Sequence, residues 1–300
     1  MQHNNDGRNI TQPLVSVIMP CYNDGKYIPQ AVDSLRKQTY QEIELIVIDD
    51  GSDEQATIDA IQNLHYPQMK LLHSDHLGPA CARNRGIREA KGKYILPLDA
   101  DDLIEPEYIQ KAVNILEEKP SVGIVYCHAD MFGENGGPWE LPDYSLRAML
   151  VENCIFVTSL FRKADWEAVG GFCESFKAGM EDYDFWLSLL ERDLEVYQFP
   201  EVYFHYRIKP ISRTSSFHRN YDEVQQTYVM LYERHRDFYK RHMDDYCLQL
   251  RWHLTDQMWA QRTDPLINYI LVLRQKKPKL AMFFERLLKR KQKLNQIIGR

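Results

Sequence analysis

A chain of 300 residues, 44% apolar and 27% charged, has the make-up of an ordinary globular protein and can bury one substantial core, or a large domain with a smaller appendage. No apolar run approaches the ~20 residues that cross a bilayer, and the polar start Met1-Gln2-His3-Asn4-Asn5-Asp6 lacks the apolar stretch of a signal peptide, so residues 1–13 are expected as a disordered tail. The net charge of −6 and the lack of a binding motif speak against nucleic acid, while six scattered cysteines with no Cys-x-x-Cys pair read as reduced thiols of a cytoplasmic protein.

The first predicted strand is Val15-Ser16-Val17-Ile18-Met19-Pro20, which runs into Cys21-Tyr22-Asn23-Asp24-Gly25. Residues 27–38 have helical spacing, with Ile28, Ala31, Val32 and Leu35 on one face. Glu44-Leu45-Ile46-Val47-Ile48 is a second strand, and Asp49-Asp50-Gly51-Ser52 follows it directly. Strand and helix alternate in this way to about residue 128. That order predicts an α/β fold, a mostly parallel sheet with crossover helices, in which ligands bind outside the carboxyl ends of the strands. Pro20–Tyr22, Asp49–Asp50 and Asp99–Asp101 all fall at such ends and can share one crevice.

The most informative stretch is Leu98-Asp99-Ala100-Asp101-Asp102, after the short strand Tyr94-Ile95-Leu96-Pro97. Closely spaced carboxylates repel one another unless something positive sits among them. A divalent cation is the simplest answer. Oxygen-only ligands suit Mg²⁺ or Mn²⁺, and Mg²⁺ commonly shares its shell with substrate phosphates. The plainer alternative is a solvated loop in which Asp102 caps the following helix.

Further along, residues 122–126 read as the last strand of this half, and Gly133, Gly136, Gly137 and Pro138 mark a loop. Residues 153–161 read as strand, 163–169 and 182–192 as helices, and 196–199 and 202–208 as short strands. From residue 215 helix formers dominate, with Tyr221, Tyr228, Tyr232, Phe238, Tyr239 and Trp252 at core-like spacing. Residues 271–300 carry ten basic residues and one acid, interleaved with apolar positions at helical spacing. Such a segment either packs its apolar face on the protein or lies, through residues 280–300, on an anionic membrane surface.

The first-strand run through Asn23, then Ser34-Leu35-Arg36-Lys37-Gln38-Thr39-Tyr40, the Asp49–Ser52 run, Gly78-Pro79-Ala80-Cys81-Ala82-Arg83-Asn84-Arg85-Gly86 and the Asp99–Asp102 run together resemble a family 2 glycosyltransferase with the GT-A fold. Gly170-Gly171-Phe172 and Met180-Glu181-Asp182-Tyr183-Asp184-Phe185-Trp186-Leu187 resemble that family's acceptor-side motifs. The resemblance covers roughly residues 14–214. It implies a nucleotide-binding half over 14–128 and an acceptor half over 129–214, and the helix formers beyond them predict a helical C-terminal region over 215–300. The resemblance implies inverting transfer of a sugar from a nucleotide diphosphate sugar, most commonly a UDP-sugar, to an acceptor hydroxyl in cell-surface polysaccharide or lipid-linked glycan assembly, with Mn²⁺ or Mg²⁺ as cofactor. By motif position Asp101 is the metal carboxylate and Asp99 touches ribose or sugar. Asp50 reads the base beside Pro20 and Tyr22, Arg83 contacts ribose or diphosphate, and Asp182 is the general base, with Glu181 the weaker candidate.

One departure stands out. Relatives carry a histidine shortly after a Tyr-Arg pair, but here Tyr206-Arg207 is followed by Ile208-Lys209-Pro210. Lys209 can meet a diphosphate as a point charge but cannot ligate a metal while charged. His205, before the pair, points with Arg207 on an alternating strand. Three other classes fit less well. A haloacid-dehalogenase-type phosphatase would have Thr or Val where Leu103 stands. A nucleotidyltransferase would have a Gly- and Lys/Arg-rich first loop in place of Asn23-Asp24-Gly25-Lys26. An inactive nucleotide-sugar-binding module would not need the full set of carboxylates.

Overall fold

The computed structural model describes residues 12–134, 136–210 and 220–263, with side chains as far as residue 256. Residues 1–11 of the tail expected over 1–13, and the basic segment with its membrane contact at 280–300, lie outside the described residues. In chain order the elements are β1 (Val15–Cys21), α1 (Ile28–Arg36), β2 (Ile43–Asp49), α2 (Gln55–Gln62), β3 (Met69–His73), α3 (Pro79–Glu89), β4 (Tyr94–Pro97), β5 (Leu103–Ile104) and α4 (Tyr108–Glu118). There follow β6 (Val122–Gly133), β7 (Gly137–Pro138), α5 (Leu146–Met149), β8 (Leu160–Arg162), α6 (Lys163–Val169), α7 (Glu181–Leu190), β9 (Glu195–Ile208), α8 (Tyr221–Arg234), α9 (Arg236–Arg241) and α10 (Met243–Thr263). None of the described helices is long and apolar enough to cross a membrane.

The strands form one sheet in the order β3-β2-β1-β4-β8-β6-β9-β5, with β7 on the side of β6. The pairings β1–β2, β1–β4, β2–β3 and β6–β9 are parallel and long, whereas each antiparallel pairing spans two residue pairs. The expected mostly parallel α/β architecture is therefore present. β2 is buried along its whole length, as a strand covered on both faces requires. Its one charged interior residue, Glu44, is satisfied by the Ser16 hydroxyl at 2.5 Å and the Lys91 and Gly92 amides at 2.6 and 3.1 Å. α1 buries the predicted face Ile28, Ala31, Val32 and Leu35.

Three local expectations change. The strand foreseen over 153–161 shrinks to β8. Asn153 Oδ1 takes the Ile155 amide at 3.2 Å, and the Ser159 hydroxyl donates to the Phe156 carbonyl at 2.7 Å. These side chains satisfy backbone groups that a strand would have paired. Conversely, the two short strands over 196–208 are one strand. Pro200 has no N–H, and the register against β6 jumps from Cys127–Phe199 to His128–Val202, a bulge that carries the ladder past it. Finally, Tyr221, Tyr228, Tyr232 and Trp252 are exposed, while Phe238 and Tyr239 are buried.

The chain forms two compact units. One comprises the residues up to Ser145 together with Asn153–Arg236, and so holds the whole sheet and α8. The other comprises Leu146–Glu152 together with the described residues from Asp237 on. Within this second unit the Arg147 guanidinium donates to Asp245 at 2.7 Å, and the Tyr239 and Tyr246 rings meet edge-on.

Candidate active site

Three groups of side chains gather where β1, β2 and β4 end. The first lies beyond β2. Asp50 follows that strand directly and is 4% exposed. Its carboxylate accepts the Leu77 amide at 3.0 Å, the Gly78 amide at 2.9 Å and the Ser74 hydroxyl. Asp50 thereby holds the loop that enters α3. Gly51 follows it with φ +76, and a Cβ there would lie 2.9 Å from the His76 backbone nitrogen. His76 itself has φ +54, and its ring leans at 35° on the half-exposed Tyr22, centroids 3.9 Å apart, just past Pro20 at the end of β1. Tyr22, His76 and Asp50 thus form a rim with an open aromatic face.

The second group is built on a buried guanidinium. Arg83 lies in α3 and donates through Nη2 to Asp99 at 2.7 Å and through Nη1 to Glu181 at 2.9 Å. Its Nε is buried with no hydrogen-bond partner among the described residues. Burial works against the charge on Arg83, but Asp99, Glu181 and Asp182 outweigh it and hold its pKa above the ordinary arginine value. Glu89, later in the same helix, pairs with Lys70 and not with Arg83. One guanidinium therefore ties the Asp99–Asp101 run to the first turn of α7. There Asp182 Oδ1 accepts the Tyr183 amide at 2.8 Å, and Oδ2 accepts the Asn153 side-chain amide at 3.2 Å. Tyr183, Phe185 and Trp186, adjacent in sequence, are buried, and the last two pack on Phe161.

The third group surrounds Asp101. Lys209 Nζ sits 2.8 Å from Asp101 Oδ2 and 2.7 Å from Asp24 Oδ1. Burial pushes the Asp101 carboxyl above its usual range, with Lys209 opposing. Burial likewise works against the Lys209 ammonium, and the two carboxylates more than compensate, so its pKa is raised. Asp102 is fully buried and raised further, first by burial and then by Asp101 and Asp99, against the Arg207 amide it accepts at 2.8 Å. Asp102 therefore serves the end of β9 and not a helix cap. His205 is engaged elsewhere, between Asp130 at 2.5 Å and Glu105 at 2.9 Å.

Residues 16–184 match the family model described as Glycosyl transferase family 2. The chain belongs to that family. An uncharacterized glycosyltransferase of Haemophilus influenzae is 30% identical over 239 residues, covering 75% of this chain and 80% of that protein. The chondroitin synthase of Escherichia coli is 32% identical over 188 residues, covering 60% of this chain and 27% of the synthase. Among solved structures, S. aureus TarS in complex with UDP-GlcNAc superposes with a TM-score of 0.58 at 24% identity, over 68% of this chain and 61% of that one. The mannosyltransferase of Pyrobaculum calidifontis in complex with GDP-Man and Mn²⁺ gives 0.54 at 20% identity, over 69% and 62%. The chain thus spans less than two thirds of these solved chains. At such identities the likeness establishes the GT-A fold, and family membership makes this chain a glycosyltransferase.

The glycosyltransferase fold brings with it the question of a divalent cation. Here the residues do not fit one. Asp101, the carboxylate in the metal position, already faces an ammonium it shares with Asp24, and Asp99 already faces Arg83. Among the described residues no three His, Cys, Asp or Glu side chains are grouped to hold a metal. The sequence reading missed Asp24 and His76 as members of the site, and Glu181 as the partner of Arg83. No motif marks His76. For Asp24, the hint was Lys209 standing where relatives carry histidine.

Proposed function

We propose that this glycosyltransferase moves a sugar from a nucleoside diphosphate sugar, most simply a UDP-sugar, to an acceptor hydroxyl on a glycan or lipid-linked glycan, with inversion at the anomeric carbon. The observation that carries this reading is the Arg83 bridge, which joins Asp99 to Glu181 and so brings the strand-end acids beside Asp182. The nucleobase end of the donor lies against Tyr22 and His76, with Asp50 and the backbone near Pro20 shaping the pocket. Arg83 is a positioning residue: it turns one Asp99 oxygen inward, while the one-third-exposed carboxylate keeps its other oxygen for ribose or sugar.

Inversion requires attack from the face opposite the leaving diphosphate. The acceptor hydroxyl gives its proton to an Asp182 oxygen as its own oxygen bonds to the anomeric carbon. The bond from that carbon to the diphosphate oxygen breaks, and its electron pair leaves with the nucleoside diphosphate. The UDP-GlcNAc bound by TarS supports the donor class, and the chondroitin synthase supports a glycan acceptor. The test is incubation with a panel of nucleotide sugars, reading nucleoside diphosphate release and, by NMR, the anomeric configuration of the product. Release from at least one donor with an inverted product is expected. A retained configuration, or no release from any donor, overturns the reading.

A further inference from the structure

Lys209 lies shortly after Tyr206-Arg207, where the family resemblance puts a histidine. Its ammonium touches Asp101 and Asp24 at 2.8 and 2.7 Å, and its side chain is 20% exposed. An ammonium has three N–H donors. Two point at these carboxylates and the Tyr27 ring lies 5.7 Å from the nitrogen, so among the described residues no oxygen takes the third, which is left for an incoming one.

The lysine is held in place by its neighbour two residues back. The Arg207 amide donates to Asp102, its Nε donates to the Asp101 carbonyl at 2.6 Å, and its Nη2 donates to Gln30 at 2.7 Å. The same guanidinium lies between the Tyr27 and Phe132 rings, 4.6 and 4.2 Å from their centroids. In extended chain, residues two apart point the same way, so fixing Arg207 against the Asp99–Asp102 run aims Lys209 at Asp101. Asp24 is fixed from the other side, its carbonyl accepting the Tyr27 and Ile28 amides at the entry to α1. A dication entering here would have to displace the ammonium from both carboxylates and then stand beside it.

We propose that Lys209 is this enzyme's own cation at the diphosphate: transfer proceeds without a divalent metal, and the tethered ammonium meets the charge that grows on the leaving group. The inference rests on the nucleoside diphosphate sugar reading above. As the anomeric carbon–oxygen bond breaks, the electron pair settles on a diphosphate oxygen and Lys209 donates its remaining N–H to it, keeping its proton throughout. A donor fixed in advance toward developing charge needs no reorganisation at the moment of reaction.

Calorimetry with UDP, GDP, ADP and CDP, in EDTA and then in Mn²⁺, tests it on the full chain. At least one should bind the parent equally well in both. Lys209→Ala should weaken that binding in EDTA by roughly 10- to 100-fold, the loss typical of a hydrogen bond to a charged group, and Lys209→Arg should retain most of it. Thermal melting of both variants confirms that they are folded. Binding only in Mn²⁺, or Lys209→Ala binding in EDTA as the parent does, overturns the metal-free inference and leaves the donor reading standing. Failure of every nucleotide in both conditions overturns both.

Discussion

In the proposed reaction Asp182 has one task, to take a proton, and that demand separates it from its neighbours. A positioned general base contributes ~10²–10⁴ to rate. Asp182→Asn keeps the shape and can still accept the Tyr183 amide, so turnover should fall by roughly that factor while donor affinity stays nearly level. Turnover within a few-fold of the parent rejects Asp182 as the base. Arg83 has the opposite profile. Its side chain is 4% exposed and that of Glu181 is 5% exposed, so Arg83→Ala takes the Arg83 charge away from a buried carboxylate. Removing one partner of a buried pair costs about 3–5 kcal/mol, which urea unfolding should register. Arg83→Lys should not restore it, because one ammonium cannot reproduce the fork that reaches Asp99 and Glu181 together. At Gly51, φ +76 and the close approach of His76 leave no room for a side chain. Gly51→Ala should cost about 1–2 kcal/mol from the left-handed conformation alone, and weaken nucleotide binding by shifting the loop that Asp50 holds. Unfolding and binding data on the one variant check both outcomes.

Helix α8 shows how an element far along the chain is tied to the sheet-bearing unit. Asp184, fully buried in α7, accepts from Arg234 Nε at 2.6 Å and sits 3.1 Å from His235 Nε2, while His235 Nδ1 lies 2.9 Å from Glu191. Burial works against the imidazolium, but the bonds to Asp184 and Glu191 win and raise the His235 pKa above 6.5. A histidine that holds its proton more tightly when folded stabilises the fold fully below the unfolded pKa, and that stability is lost as pH rises through the folded value. Stability should therefore fall as pH rises from below about 6.5 into the alkaline range. His205, raised in the same sense by Asp130 and Glu105 against its own burial, adds a decline of the same sign. His235→Gln should flatten part of the slope and the double variant with His205→Gln more of it. Denaturant midpoints across that range give the answer, and an unchanged slope in both variants would refute the charge pairing.

The proposed donor site is assembled from β1, β2, β4, β9, α3 and α7, so a ligand bound there reports on the whole sheet-bearing unit. A nucleoside diphosphate at a hundred times its Kd should stabilise the native state by about 2.7 kcal/mol. For a unit of this size that is a rise in melting temperature of roughly 5–10 °C, seen by calorimetry as a shift of one transition rather than the splitting off of a ligand-bound piece. Much of this architecture is legible in the sequence. The apolar runs of β1, β2 and β4, the helical face of α1 and the acids at strand ends are short-range patterns, set by side-chain periodicity within a few residues. A strand that alternates or runs apolar declares itself wherever it lies, and a parallel sheet then forces its carboxyl ends, with Tyr22, Asp50, Asp99 and Asp101, to one edge. The partners of those acids are a different matter. Arg83 and Glu181 are 98 residues apart and Asp24 and Lys209 are 185 apart, and only the placing of β9 and α7 within the fold brings them together. Two ions attract across a few ångströms whatever their separation in the chain, so the sequence by itself determined the α/β fold and the gathering of Asp50, Asp99 and Asp101 at the strand ends, and the tertiary structure decided which cation Asp99 and Asp101 meet.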